Sequence, residues 1–596
     1  MCGIFGGVSV NPIKSCEVER AIKLGRQLKK RGDDDFNFYL SPSHTLLFLH
    51  QALKIMDRSK DSSQPFFFNE YAMVYNGEIY NYREIRKELS EEGHIFITDS
   101  DTEVVIKAIS NWGIDVALEK FNGEFAIVLW NDKLQQLSLI RDRFGIRPLY
   151  YYVNEEDIWF CSDLKILARY IGKKDVNNCA ILSCFATQTI MPVDQCFLDK
   201  YRKVKPGTYL QFLKKGSIFI ERRVCYYNLY ERVTKIGKED LIEVTYSKLK
   251  AAVEKRMLGH SKIGLWLSGG LDSSLLQAIC IKEFDKPIFS FSLGSPSSKK
   301  EEGNEFTYSA YVNSLYSSGS CERIILTEDD IIDEINESIS SSYEPMFSND
   351  YIGHYILGKY TKKAGIKFTL TGVGADEIWL GYNWHEKLIE GSYSSSKEFK
   401  NVFLDRSILN IKDIVNEEIW KDDRFKVEYE EWFEKKSYGQ WDYLNHSINN
   451  VLPEDPLKRA DIAGLSNAVE VRVPFLDHDL VEFAMGISVH ERMKDNITKY
   501  LLKKVAEKYF AKEFIYREKG YFSVPLVKYT EGKIGDYCKE TINSKKCRKR
   551  GIVKEKYIDS LLHSKEQTLS SMETNSLWQI FVMEKWFENL EKEIML

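Results

Sequence analysis

The chain has 596 residues, of which 43% are hydrophobic and 29% charged, with 13 prolines and a formal net charge of −5. That length exceeds a single ordinary core, so two domains are expected, and the composition excludes a disordered chain while the negative balance excludes a general polyanion binder. The 11 cysteines show neither CxxC pairs nor zinc-like Cys/His spacings, which excludes a disulfide framework or a structural metal and fits a reducing cytoplasm.

Along the first 160 residues the sequence reads as short strands with turns between them: GIFGGVSV, TLLFLH, YAMVYNGEIY, EFAIVLW, LSLIRD, LYYYV and IWFCS. Helices are predicted over residues 18–30 and 82–92, so this half is expected to be a layered α+β domain. From about residue 240 the texture changes. Helical patterns over 240–255 and 273–283 alternate with isolated apolar strands, IGLWLS, PIFSFSLG and KFTLTG, which predicts parallel β-α-β units and an α/β domain. The boundary is placed after the turn KPGTYLQF, giving domains 1–225 and 226–596. The N-terminus has no uninterrupted apolar run and no stretch approaches the roughly 18 apolar residues of a spanning helix, so no membrane is expected as a partner. The basic run at residues 545–550 reads as a solvated surface loop, and no nucleic acid is expected either.

The opening stretch MCGIFGG puts a cysteine at position 2. Removal of Met1 would leave Cys2 with a free α-amine of pKa roughly 7.7–8.0, a base within reach of its own thiol. By itself that cysteine reads first as a buried residue that happens to come early. VYNGEIYN places Asn76, Gly77 and Glu78 at a strand end, and DSDTEVV places Asp101 before a helix. An amide and a backbone N–H can form an oxyanion hole, and carboxylates can hold an ammonium group. In this order MCGIFGG, RGDDD, VYNGEIYN, SDTEVV, NGEFAIVLW and RDRFGIRPLYY resemble the class II glutamine amidotransferases, which have an Ntn-type αββα fold. The resemblance implies that Cys2 attacks the glutamine side-chain amide and liberates ammonia. It implies further that Asn76 and Gly77 form the oxyanion hole and that Glu78 and Asp101 clamp the glutamine α-amine. One position departs from the family pattern: where the family carries an arginine for the glutamine α-carboxylate, this chain has Ala52. Lys54, two residues on and on the same face if the strand continues, is the expected substitute, with a solvent-facing Lys54 as the alternative.

The stretch KIGLWLSGGLDSSLLQAI runs an apolar strand into Leu267, Ser268, Gly269, Gly270, Asp272, Ser273 and Ser274, and a helix follows. Glycine N–H groups, serine hydroxyls and a helix N-terminus suit phosphate oxygens, and Asp272 suits Mg²⁺. The pattern is similar to the pyrophosphate loop of ATP pyrophosphatases. With FSFSLG, LTGVGADEIWLGY, DIAGLSNAVEVRVPFLDHDLVEFAM, Thr498-Lys499-Tyr500-Leu501 and REKGYFSVP, it resembles the synthetase half of the asparagine synthetases, an ATP-pyrophosphatase-like α/β domain with a parallel sheet. That resemblance implies ATP contacts at Leu293, Thr371 and Gly372, Mg²⁺ and pyrophosphate contacts at Asp376 and Glu377, and Lys499 stabilising charge on the adenylating carboxylate. Asp461, Glu470, Arg472 and Asp477 are expected to be structural ion pairs. Val373 stands where the family carries an acidic residue, and valine cannot take a proton.

The resemblance implies an enzyme that uses glutamine, ATP and Mg²⁺ to turn a carboxylate, by default that of aspartate, into an amide through an acyl adenylate, and it is compatible with a homodimer. Three alternatives stay open. They are amidation of another carboxylate, such as a sugar uronate or a peptide, ammonia-dependent synthesis with a weak glutaminase, and a catalytically faded binding protein.

Overall fold

The computed structural model describes residues 2–237, 240–294, 306–316, 319–348, 350–389, 395–435, 437–517, 532–563 and 575–592. Met1, the part of REKGYFSVP after Arg517 and the first residue of the closing segment TNSLWQIFVMEKWFENL lie outside the described residues. In chain order the strands of the first half are β1 (Gly3–Ser9), β2 (Asp35–Leu40), β3 (Leu46–Ala52), β4 (Phe66–Phe68), β5 (Tyr71–Ile79), β6 (Gly123–Asn131), β7 (Gln136–Arg141), β8 (Tyr150–Val153), β9 (Asp157–Cys161), β10 (Tyr201–Lys203), β11 (Thr208–Lys215) and β12 (Ile218–Cys225). They form two antiparallel six-stranded sheets, ordered β10-β8-β9-β1-β3-β2 and β12-β11-β7-β6-β5-β4.

Strand side chains alternate between faces, and one face of each sheet meets the other in a dry layer: Ile4, Val8 and Phe48 against Val74, Val128 and Leu139. Helices cover both outer faces. Ser15–Gly25 and Leu164–Ile171 pack Val18, Leu24, Leu164 and Leu167 on the Phe5 and Leu49 side, and Tyr82–Glu91 with Asp101–Lys120 packs Ile85, Leu89 and Val105 on the Tyr75 and Ile127 side. The result is an αββα sandwich. The helix predicted over 18–30 begins earlier and ends sooner, because Glu17 folds back to accept the Lys14 N–H at 3.0 Å and residues Arg26–Lys30 tighten into a 3₁₀ turn.

The second half contains β13 (Ile263–Trp266), β14 (Ile288–Gly294), β15 (Cys321–Ile325), β16 (Phe368–Leu370) and β17 (Glu470–Arg472), all parallel and ordered β15-β14-β13-β16-β17. The flanking helices Leu241–Arg256 and Leu271–Phe284 lie within two residues of the predicted spans. β13 stops at Trp266, earlier than IGLWLS suggests, because the Ser268 hydroxyl accepts the Gly270 N–H at 3.1 Å and turns the chain. From β13 the sheet grows toward β14 on one side and β16 on the other, so the loop after β13 sits at a topological switch point, where open α/β sheets bind ligands.

Buried charges join the two halves. Arg147, fully buried, lies 2.7 Å from Glu124 and 3.3 Å from Asp461, Arg256 lies 3.4 Å from Glu124, and Asp477, paired with Arg256, accepts Asn122 Nδ2 at 3.0 Å. Glu344 is held between Lys203 and Lys458, and although burial alone would raise its pKa these two ammonium groups hold it down to about 2. Asp461 and Asp477 thus act as interface ion pairs. Arg147→Ala would leave Glu124 with Arg256 alone at 3.4 Å and Asp461 with Arg31 alone at 3.1 Å, and removing one partner of a buried ion pair costs about 3–5 kcal/mol. The urea unfolding midpoint should therefore fall markedly, and an unchanged midpoint would mean that the interface does not depend on Arg147. All 11 cysteines are free, and among the described residues no helix is long and apolar enough to cross a membrane.

Candidate active sites

β1 starts directly after Cys2, which is buried between β3 and the end of β5. The Cys2 backbone nitrogen donates to Asn76 Oδ1 at 3.0 Å. In the full chain this nitrogen belongs to a peptide bond, and removal of Met1 would make it the α-amine. Asn76 is fully buried, and its Nδ2 has no hydrogen-bond partner, so a buried donor is left unused on the residue that touches Cys2. Gly77 follows on β5 opposite Phe125 of β6, where a Cβ would meet Glu124 O at 2.2 Å, so only glycine lets the two strands close here. Burial pushes the Cys2 thiol above its usual pKa, and the Leu53 N–H opposes that shift.

Asp101 opens the helix Asp101–Lys120, and its Oδ2 accepts Tyr75 OH at 2.9 Å and the Ile79 N–H at 3.0 Å. Burial raises its pKa against those two donors. Glu78, buried near Asp101 and Glu470, is pushed well above the carboxylate range by burial first and then by those two charges, while Arg472 at 3.8 Å pulls the other way. A buried pocket with this much acid favours an incoming cation, the charge of an amino acid's α-ammonium.

The expectation for Lys54 needs correction. β3 ends at Ala52, so the two-residue alternation does not reach Lys54. Its backbone N–H donates to Asp34, and its Nζ donates to Ser59 O at 3.1 Å and Ser63 Oγ at 3.3 Å and lies 3.5 Å from Asp35. None of these contacts is with Cys2, Asn76, Glu78 or Asp101. Besides Arg472 at Glu78, a cation that touches this site is Arg31, which the sequence left without a role although it lies in RGDDD. Its Nε donates to Cys2 O at 3.3 Å and its Nη1 to Asp461 at 3.1 Å.

At the second site Gly269 takes φ +88, a left-handed conformation that glycine adopts without strain. Ser268 and Ser273 hydroxyls lie 3.2 Å apart, Ser274 Oγ is buried without a hydrogen-bond partner, and Gly270 directly precedes the helix Leu271–Phe284. Lys499 comes from a distant turn to lie 2.6 Å from Asp272 and 2.8 Å from Asp376. Burial disfavours its charge, but the two carboxylates outweigh burial and hold its pKa above the usual lysine value. Lys499 itself sits at φ 53, strained for a non-glycine residue.

Two glycines let these groups converge. A Cβ at Gly372 would meet Asp272 Cβ at 2.8 Å, and one at Gly381 would meet Asp376 Oδ1 at 2.0 Å and Lys499 Cε at 2.1 Å. Gly381 was not singled out from the sequence, where a glycine after a short helix reads as an ordinary cap. Thr371 is tied to β17 through its N–H to Arg472 O at 3.1 Å, and Leu293 is buried near the end of β14, beside the strand that carries the loop. Glu377 is occupied by Tyr382 OH at 2.6 Å, and half-buried Val373 packs onto the hydrophobic core. A divalent cation fits Asp272 and Asp376, whose carboxylates share one ammonium, provided phosphate oxygens complete its shell. The triplet Asp477, His478 and Asp479 also has metal-like spacing, but Asp477 is bound to Arg256 and Asp479 to Lys255.

The family model described as "Asparagine synthase" matches residues 245–588, and that described as "Glutamine amidotransferase domain" matches residues 1–223. Asparagine synthetase [glutamine-hydrolyzing] 1 of Bacillus subtilis (strain 168) is 25% identical over 650 aligned positions, covering 100% of this chain and 98% of that protein. Asparagine synthetase [glutamine-hydrolyzing] 3 of the same organism is 27% identical over 600 positions, covering 95% and 94%. A putative asparagine synthetase [glutamine-hydrolyzing] 2 of Methanocaldococcus jannaschii is 29% identical over 410 positions, covering 65% and 76%.

Proposed function

Because the chain belongs to the asparagine synthase family, we propose that it is a two-site amide ligase in which residues 1–225 release ammonia from glutamine and residues 226–596 activate a carboxylate with ATP. In the first site Cys2 attacks the glutamine side-chain amide, its own amine taking the thiol proton once Met1 is gone. Asn76 Nδ2 and the Gly77 N–H receive the developing oxyanion, and Glu78 with Asp101 holds the α-ammonium. Ammonia leaves, and water frees the acyl-cysteine as glutamate.

In the second site the loop at residues 267–274 takes the ATP phosphates, and Leu293, Thr371 and Gly372 take the rest of the nucleotide. Asp272 and Asp376 would hold Mg²⁺, which supplies positive charge to the pyrophosphate leaving group. The acceptor carboxylate attacks the α-phosphate, pyrophosphate departs, and Lys499 stabilises the negative charge shared by carboxylate and phosphate. Ammonia then displaces AMP to give the amide. The observation that carries this reading is the Lys499 ammonium held between Asp272 and Asp376 against Gly381.

Aspartate is the proposed acceptor. Incubation with ATP, Mg²⁺, glutamine and aspartate should give asparagine, AMP and pyrophosphate by mass spectrometry. A second reading, amidation of another carboxylate such as a sugar uronate or a peptide, is favoured by Val373, which offers no proton acceptor beside the nucleotide turn. It takes the place of the first if aspartate gives no asparagine and AMP forms only with a different carboxylate. Absence of AMP with every acceptor, even with ammonia supplied, overturns both.

A further inference from the structure

We propose that a cationic cavity at the seam between the two halves is a binding site for a small phosphate-bearing ligand. The cavity encloses about 320 Å³. Its walls come from the 3₁₀ turn Arg26–Lys30, the helix Leu164–Ile171, the end of Glu328–Ser341, the helix Pro456–Leu465 and the closing helix Ser576–Glu591. Five cations line it, Lys29, Lys30, Arg31, Lys165 and Arg169, against one carboxylate, Asp163. Asp163 is committed to capping its own helix, accepting the Lys165 N–H at 2.8 Å and the Ile166 N–H at 3.3 Å.

Two of the cations are balanced from outside the cavity, Lys30 by Glu337 and Arg31 by Asp461. Of the other three, Lys29 is exposed, and Lys165 and Arg169 form no ion pair among the described residues and share the field of the single carboxylate Asp163. Lys165, 5% exposed, donates to Ser340 O, and Arg169 donates to Gln27 Oε1 at 3.2 Å and Asn589 O at 2.7 Å. Burial draws the Lys165 ammonium down to about 8. In addition, Arg31 Nη2 and Arg169 Nε are buried with no hydrogen-bond partner. A buried charge without a counter-ion is costly, and orphaned buried donors are rare.

Five cations against the three carboxylates Asp163, Glu337 and Asp461 leave two positive charges in excess around one space, which calls for a dianion with several acceptor oxygens. A phosphate monoester carries a charge of about −1.5 to −2 at neutral pH and three such oxygens, and guanidinium groups match its geometry. A single carboxylate would neutralise only one of the two excess charges. The cavity also reaches the nucleophile through one side chain, because the guanidinium with the spare Nη2 is the one whose Nε holds Cys2 O. Occupancy therefore bears on the cysteine site from a position outside it.

The test uses the full chain, with inorganic phosphate as probe, in titration calorimetry and thermal unfolding at constant ionic strength. Phosphate should bind the unsubstituted protein and raise its melting temperature. Lys165→Met and Arg169→Gln should each weaken phosphate about tenfold or more, the scale of one charge-assisted hydrogen bond. Lys165→Met should also melt no lower than the unsubstituted protein without phosphate, because it removes a charge whose burial outweighs the carboxylates near it. Ser274→Ala, in the nucleotide loop, should leave phosphate binding at the cavity intact. The proposal is overturned if millimolar phosphate shifts nothing, if the shift survives both cavity substitutions, if it is lost only in Ser274→Ala, or if Lys165→Met melts lower.

Discussion

Cys2→Ala should abolish amide formation from glutamine while ammonia-driven turnover continues at the rate of the unsubstituted chain. The substitution removes the proposed nucleophile and leaves the backbone nitrogen that Asn76 Oδ1 accepts from, so the oxyanion pocket should keep its shape. Loss of an essential nucleophile costs several orders of magnitude, on the order of 10⁶ in the best-studied serine enzymes. The second site, built on the loop after β13, has no direct contact with the thiol in the proposed mechanism. Two measurements decide the outcome: glutamate release from glutamine, and AMP release with an ammonium salt as nitrogen donor. Equal loss of both would show that Cys2 serves the fold instead of the chemistry.

Lys499→Ala should lower AMP formation by about 10²–10³, the usual scale for removing one preorganised charge from a developing anion. It should do so with either nitrogen source and leave glutamate release unchanged. Part of the loss will come from the ground state, because Asp272 and Asp376 are left facing each other without the ammonium between them. That repulsion should tighten Mg²⁺ binding, so the dependence of residual activity on Mg²⁺ ought to shift to lower concentration. Lys499→Arg should rescue little. Gly381 leaves no room beside the ammonium stem, and a planar fork cannot take the place of a compact charge there. A variant with full adenylating activity would remove Lys499 from the mechanism.

Both sites were legible in the sequence where their parts are local. The strand, glycine turn and helix at residues 263–284 are consecutive, so loop geometry follows from the order of residues. The same holds for Asn76 and Gly77 on one strand and for Asp101 at a helix start. Lys54 shows the limit of that logic. Its predicted face depended on β3 continuing past Ala52, and the choice between continuing and turning lies with Asp34, which accepts its N–H, and with Ser59, Ser63 and Asp35, which hold its ammonium. Arg31 shows the reverse error of omission. A basic residue after a helix looks like a solvated cap, and only packing against the other half buries it on Cys2 O and Asp461.

What the sequence determined by itself is the chemistry proposed: a cysteine at position 2 with an amide and two carboxylates offered to it, and a glycine-serine loop offered to phosphates, with a lysine beside it. Alternation, turn residues and helix starts are encoded over a few residues, so the layers of both halves could also be anticipated. The tertiary structure alone decided which charges meet. Lys499 reaches Asp272 across 227 residues, and Arg147 reaches Asp461 across 314. Pairings at that range depend on how helices and sheets stack, and no local pattern specifies them. For the same reason the cationic seam around Lys165 and Arg169 could not be read from the chain: its residues come from five separate segments and their excess positive charge gathers only when those segments close on one another.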